Sequence, residues 1–372
     1  MNTQIHIGSE SLDRNQWDAL CEKNNSLLKL AFKQAFEKHH QKSIQSLYYQ
    51  LNGDNNKGIG YAQQFTIGGN KIQSYQKKNN VSQSIWSAVL GMLKLKVIAL
   101  GNGLLTNVSN LHIEQVTDKK LFVNALLSGF QQKLGVKKFI IPDHFFDELD
   151  IKTPTAVFPE LIRVEVDEDM QMHIPPEWKT FEDYTQALKK KYRSRLKNVL
   201  KKSDSVNIKQ LAQEDLERHA QTMQKLFNNV HQNSAFGIAP FNTDIFKDLI
   251  AIQHPQCIVF GYFLDHKMIG FSSEIRKETS LYSYFIGLDY SYNRSHRLYE
   301  RILNQTIKGA IDNGKKQIVF GRTAAEFKSN VGAIPSQSFI YIYIKNSLLR
   351  ALLKPLLSRI KPKQWIQRNP FK

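Results

Sequence analysis

Cysteine is scarce in this chain of 372 residues: Cys21 and Cys257 are the only two, and neither stands in a CxxC or other metal-ligand spacing. A disulfide-stapled scaffold is thereby excluded. His39, His40, His231 and His254 show no metal spacing with the cysteines, which argues against zinc, so no metal is expected. No stretch approaches the roughly 20 apolar residues that cross a bilayer. The first residues, MNTQIHIGSESLDRNQ, lack the apolar run of a secretory signal, and the expectation is a cytoplasmic chain with reduced thiols. GxGxxG, P-loop and GxSxG patterns are missing too; Gly68-Gly69-Asn70 and Gly101-Asn102-Gly103 read only as hairpin turns. Acidic residues are in deficit, 33 against 51 Lys and Arg, and the net charge of +18 favours polyanionic partners: nucleic acid, anionic lipid or a phosphate-rich cofactor.

What is present is globular: 41% hydrophobic and 11% aromatic residues at a length that favours two domains over one large core. Strands are expected at Ser46–Leu51, Gly58–Ile67 and Lys96–Leu100, then a helix over Asp118–Lys133 ended by Gly135, then a strand from Lys138 to Ile141. A similar order returns later. Val259–Leu264 and Met268–Arg276 form a hairpin pattern, Leu281–Leu288 another strand, Ser295–Asn313 a helix stopped by Gly314, and Gln317–Phe320 the next strand. The fold expected is therefore α/β, two related units in tandem, with a first unit at 1–152 and a second at 181–345. Pro154, Pro159, Pro175 and Pro176 mark the connection, 153–180.

Thr180 then resembles an N-cap with Asp183 as the capping-box acid, and Tyr184, Leu188, Tyr192 and Leu196, four apart, predict one helical face. On that helix LKKKYRSRLKNVLKK crowds eight cations, which either keep a helix face solvated or form a field for phosphates. Arg193 and Arg195 are its better candidate ligands, because a guanidinium grips a phosphate with two hydrogen bonds.

From Leu281 to Pro335, a strand enters a helix through a polar turn, an arrangement that aims backbone N–H groups and a positive helix end at an anion. Three segments, FEDYTQALKKKYRSRLKNVLKK, YFIGLDYSYNRSHRLYERIL and FGRTAAEFKSNVGAIP, resemble in their order the GNAT-like acyltransferases related to the Fem aminoacyl transferases, including the BioF2-like group. The resemblance implies two tandem GNAT-like units with a mixed sheet, the second binding the activated donor. It implies that a thioester or aminoacyl ester carbonyl lies against Phe285, Ile286, Gly287 and Leu288, polarised by backbone N–H groups. Arg294, Ser295 and Arg297 would face the donor's phosphates, although the glycine usual in that turn is missing.

Amine attack needs a base and an acid. Glu274 is the first candidate base, a carboxylate on the strand preceding the donor strand; its bland alternative is an ordinary surface residue. Tyr284, Tyr282 and Asp289 are the other acid–base candidates, and Tyr284 reads equally as an aromatic packed in the sheet. Arg322 and Lys328 are candidate ligands for the acceptor's carboxylate or the donor's phosphates, or else salt-bridge partners of Glu326. The expected function is N-acyl transfer from acyl-CoA or an acyl carrier protein to an amine acceptor, a lipid or cell-envelope precursor. Two alternatives stay open: an aminoacyl-tRNA donor, and a non-catalytic basic binding module. The tail, 346–372, carries SLLRALLKPLLSRI and further cations, which suit either a packed terminal helix or an anionic membrane surface.

Overall fold

The computed structural model describes residues 2–21, 27–68, 94–232, 240–253, 255–362 and 364–372. The chain forms two compact units: Met1–Val166, Ala235–Phe241 and Ser338–Pro362 in the first, and Asp167–Ser234, Asn242–Gln337 and Lys363–Lys372 in the second.

Unit 1 comprises β1 (Asn2–Ile7), α1 (Arg14–Leu20), α2 (Leu30–His40), β2 (Gln45–Gly53), β3 (Asn56–Gly68), β4 (Lys94–Ala99), β5 (Leu111–Val116), α3 (Lys119–Leu134), β6 (Lys138–Pro142), α4 (Asp143–Glu148) and α5 (Pro154–Val157). Its strands run in the order β1-β2-β3-β4-β6, followed by the end of β13 (Ile334–Ile344), while β5 pairs with β3. All these neighbours are antiparallel except β4 and β6, matched at Ile98 with Phe139 and Ala99 with Ile140. Sequence signals set α3: Asp118 accepts a hydrogen bond from the Leu121 N–H at 2.8 Å, and Gly135 ends the helix at φ 66°, a conformation glycine adopts without a Cβ penalty. The helix lays Phe122, Leu126 and Phe130 on Leu47, Tyr49, Ile98 and Phe139, all buried.

Beside Ala99, the last β4 residue to pair with β6, the interior of unit 1 is polar. Gln63, opposite Ala99 on β3, donates to the Tyr61 hydroxyl at 3.0 Å and to Asn102 Oδ1 at 3.2 Å, and its own carbonyl accepts from the Gly103 N–H at 2.8 Å. Lys33, fully buried, donates to Asn110 Oδ1 with its ammonium nitrogen 4.6 Å from the Tyr61 ring centroid, and burial pushes its pKa down to about 7. Gly101-Asn102-Gly103 is therefore part of this plug and not a hairpin turn: it joins β4 to β5, which both pair with β3. Gly69 and Asn70 of the other expected turn lie outside the described residues.

Unit 2 holds the end of β7 (Leu161–His173), α6 (Phe181–Ala187), α7 (Lys190–Lys202), β8 (Val206–Gln210), α8 (Gln213–Arg218), α9 (Ala220–Gln232), α10 (Ile245–Leu249), β9 (Gln256–Leu264), β10 (Lys267–Arg276), β11 (Ser280–Leu288), α11 (Tyr290–His296), α12 (Leu298–Asp312), β12 (Gln317–Gly321), α13 (Ala325–Ser329) and the start of β13. Its order is β7-β12-β11-β10-β9-β8, antiparallel except for the β11–β12 pair. Leu303, Ile307 and Ile311 of α12 pack on Met170, Met172, Leu281, Ile318 and Phe320.

Several expectations change in detail. Two passages between the units run within strands β7 and β13, and Pro154 begins α5 instead of interrupting structure, as suits a residue whose missing N–H is not needed at a helix start. The Thr180–Asp183 capping box forms, but the helix expected through Leu196 breaks at Leu188, which is extended (φ −70°, ψ 141°) and bridges to Phe371. The second-unit helix likewise divides, into α11 and α12, at Arg297, which is left-handed at φ 51°. The C-terminal segment divides as well. Helix α14 (Ser347–Leu357) packs Leu353 and Leu357 on Ile162, Val164 and Ile344 of unit 1, leaving Leu348 82% and Leu352 49% exposed, whereas Lys363–Lys372 belongs to unit 2. Among the described residues no helix is long and apolar enough to cross a membrane.

Candidate active site

β11 is the axis of the site. β12 accompanies it only from Ser280 to Tyr282, and β11 runs on to Leu288. Against β10 the register steps from Ser283 opposite Glu274 to Ile286 opposite Ser272, so Tyr284 and Phe285 together face Ser273. This is a β-bulge, a device that re-aims a strand's groups. Ser273 fixes it by donating from its hydroxyl to the Phe285 carbonyl at 2.8 Å. Beyond the bulge Ile286, Gly287 and Leu288 pair with Ser272, Phe271 and Gly270. Gly287 is required by close approach: a Cβ there would stand 2.3 Å from the Phe271 ring and 2.8 Å from the Leu226 backbone of α9. Asn229, one α9 turn further on, donates to the Leu288 carbonyl at 3.0 Å.

The acid–base candidates fall on different faces. Phe271 packs edge-on to Phe246 of α10, and so does Tyr284, whose ring also lies 4.5 Å from that of Phe285. Burial raises the Tyr284 pKa well above the ordinary phenol value, so the hydroxyl keeps its proton. Ser272, next to Phe271 and hence on the opposite face, bonds Tyr262, which packs with Leu298 and Ile302 of α12. Glu274 shares that second face: Gly309 of α12 lies over it, where an added Cβ would be 3.5 Å from Oε1. The structure therefore does not bring Glu274 and Tyr284 together. Glu274 is fully buried and ion-paired with Arg276 at 2.8 Å, while its Oε1 has no hydrogen-bond partner among the described residues. Burial outweighs the arginine and lifts its carboxyl to about 7. Asp289 caps α11, accepting from the Ser291 N–H at 3.1 Å and facing Lys267 at 3.5 Å. Burial opposes its ionisation, but the Ser291 bonds and Lys267 prevail and hold the carboxyl below its ordinary range. Tyr282, beside Val319 of β12, is half-buried, and burial raises its hydroxyl.

At the head of α12 two of the expected anion ligands, Arg297 and Arg195, already have partners. Arg297 pairs with Glu300 at 2.7 Å, and Arg195 reaches the same carboxylate at 2.7 Å and Asn330 at 3.1 Å. The Tyr299 N–H, an orphan donor of this helix, is taken by Asn293 Oδ1 at 2.9 Å. Arg294 and Ser295 are exposed on α11, with Ser295 bonded to the Tyr292 carbonyl and to His296. Arg193 closes the end of α6, donating to the carbonyls of Thr185, Gln186 and Leu188. That clamp and the Leu188–Phe371 bridge satisfy the backbone where the expected helix is interrupted.

At the end of β12, Lys328 is 5% exposed and donates to the carbonyls of Gly321 at 3.0 Å and Arg322 at 2.7 Å. It thereby secures a turn in which Gly321, Thr323 and Ala324 all have positive φ, a strain of about 1–3 kcal/mol for each non-glycine residue. Burial lowers its pKa to about 7, against the pull of buried Asp169. Asp169 accepts from Gln171 at 3.1 Å, which in turn accepts from Gln317 at 2.8 Å. Arg322 lies close enough to Asp167 to favour its ionisation, although burial prevails and raises that carboxyl. Sequence reasoning missed Asp169, Asn293 and Glu300. Among the described residues no group of three or more His, Cys, Asp or Glu is placed to hold a metal.

Residues 189–329 match the acetyltransferase (GNAT) domain. Among solved structures the fold is similar to that of FemX, with 11% identity over 95% of this chain and 100% of that one and a TM-score of 0.52. It is similar also to a tandem GNAT protein from the clavulanic acid biosynthesis pathway, with 7% identity over 92% of this chain and 98% of that one and a TM-score of 0.52. A protein of unknown function from Bacteroides thetaiotaomicron gives 9% identity over 91% and 100% of the two chains, also at 0.52. No curated protein matches the chain in sequence. Residues 189–329 thus form a domain of the GNAT acetyltransferase class, and the chain as a whole is similar in fold to FemX. Its architecture is that of a tandem GNAT protein, two α/β units of which the second contains the matched domain.

Proposed function

We propose that unit 2 transfers an acyl group from a carrier to an amine, with the acyl carbonyl lying along β11 at the Tyr284–Phe285 bulge. One observation carries this reading: β11 runs past its last β12 partner and bulges there, beside a phenol that keeps its proton. The amine nitrogen bonds to the acyl carbon as the carrier's sulfur or oxygen leaves. Tyr284 gives its proton to the leaving atom and recovers one from the nitrogen. The donor in this reading is a thioester, acyl-CoA or acyl carrier protein. A second reading, an aminoacyl-tRNA donor, is favoured by Glu300, which occupies the arginines that would face a pyrophosphate. The acceptor is a lipid or envelope-precursor amine at an anionic membrane surface in the cytoplasm, a placement supported by exposed Leu348 and Leu352 among the cations of α14.

Thermal shift and turnover with acetyl-CoA, palmitoyl-CoA and charged tRNA test the reading. Transfer from one of them is expected, with Tyr284→Phe lowering kcat about 100-fold. Unaltered turnover in that variant removes Tyr284 from the mechanism, and no turnover with any donor favours a binding module.

A further inference from the structure

Two cross-strand bonds show what the bulge does to β11. Before it, the Lys277 N–H donates to the Ser280 carbonyl at 2.9 Å; after it, the Asp289 N–H donates to the Ile269 carbonyl at 2.9 Å. Backbone groups of successive residues in a strand point to opposite edges. Ser280 and Tyr282 therefore face β10 before the bulge, Gly287 and Asp289 face it afterwards, and Tyr284 and Phe285 absorb the change of phase. Ile286 and Leu288 consequently turn their N–H groups to the other edge, which β12 accompanies only as far as Tyr282. The side chains follow the same phase: Ile286 and Leu288 pack with Leu298 and Ile302 of α12, whereas Phe285 meets Phe227 of α9 at 5.3 Å and Gly287 meets the α9 backbone.

Ser273 pins that phase. It stands opposite both bulge residues, is fully buried, and its hydroxyl donates to the Phe285 carbonyl at 2.8 Å. Loss of the hydroxyl takes this donor from a buried carbonyl, and a slip of one residue would turn the N–H groups of Phe285 and Gly287, in place of those of Ile286 and Leu288, to the edge that β12 has left. We propose that Ser273 is a positioning residue for transfer: it holds β11 in the phase that presents the Ile286 and Leu288 N–H groups to the acyl oxygen. Such donors stabilise developing negative charge only where they stand in place before the reaction, and Ser273 secures this without touching substrate. The inference rests on the acyl-transfer reading of β11 and assigns a residue that the reading leaves unused.

Carrier release from acetyl-CoA, palmitoyl-CoA and charged tRNA, together with hydrogen exchange of the β11 amides, tests it in Ser273→Ala and Ser273→Thr. Ser273→Ala is expected to lower kcat about tenfold with KM unchanged, less than the loss of an oxyanion donor itself. Exchange at Gly287 and Asp289, whose N–H groups face β10, should quicken about tenfold in the same variant. Ser273→Thr keeps the hydroxyl and is expected to stay within about threefold of the unaltered protein in both readouts. If circular dichroism shows that Ser273→Ala does not fold, Ser273→Cys, a weaker donor of similar size, takes its place with the same direction of change. Unaltered kcat in Ser273→Ala overturns the role and leaves the transfer reading standing, as does an equal loss in the alanine and threonine variants. No carrier release by the unaltered protein from any of the three donors overturns the transfer reading itself, and the role falls with it.

Discussion

Both units join a parallel strand pair by a crossover that ends in a helix and a left-handed glycine: β4, β5, α3, Gly135 and β6 in the first, and β11, α11, α12, Gly314 and β12 in the second. They differ beyond the paired residues. β4 ends at Ala99, still matched to β6, and Gln63, Asn102, Asn110 and Lys33 fill the adjoining space with mutual hydrogen bonds. β11 instead continues from Ser283 to Leu288, bulged at Ser273 and closely approached by α9 at Gly287. The crossover is a scaffold common to both; what differs is the strand length and the polarity beyond the paired residues.

The largest effect should come from closing that distinction. Gly287→Val forces a branched side chain onto Phe271 and the α9 backbone, and a loss of about 3 kcal/mol in unfolding free energy is expected, with transfer abolished. An unchanged melting temperature would mean that α9 can withdraw and that the close approach is not needed. Next is the plug of unit 1. Lys33 has a pKa of about 7 when folded, against an ordinary value of 10.5. Between those values the unfolded chain holds the extra proton, so stability rises with pH above 7 and the deficit is full below it. Lys33→Met should reduce that rise by up to about 1.4 kcal/mol per pH unit between about pH 7.5 and 9. Lys328, depressed in the same direction in unit 2, remains as the internal reference; an identical slope in the variant would show that Lys33 stays charged inside. Smallest is Thr180→Ala, expected to cost about 1 kcal/mol through the cap of α6 and to leave unit 1 untouched by hydrogen exchange.

Much of this was legible where the signal is local. Asp118 and Gly135 bracket α3, Thr180 and Asp183 start α6, and the β9–β10 hairpin turns about Asp265–Lys267 with β11 following as expected. The expected site residues were harder to place. Glu274 reads as facing the cleft only if β10 and β11 stay in simple register, and the bulge at Ser273 removes that regularity. Arginine has no preference for left-handed backbone, so nothing in the sequence announces the break at Arg297. Arg195 and Glu300 are 105 residues apart, and only the fold brings them together.

Glu300 also gives the molecule a resident competitor. Held by Arg195 and Arg297 on the first turn of α12, its carboxylate occupies the two guanidiniums before any ligand arrives. An incoming anion therefore gains only the difference between its own pairing and the one it displaces. Any occupancy of that helix head would be an exchange, because the same contact keeps both arginines in place.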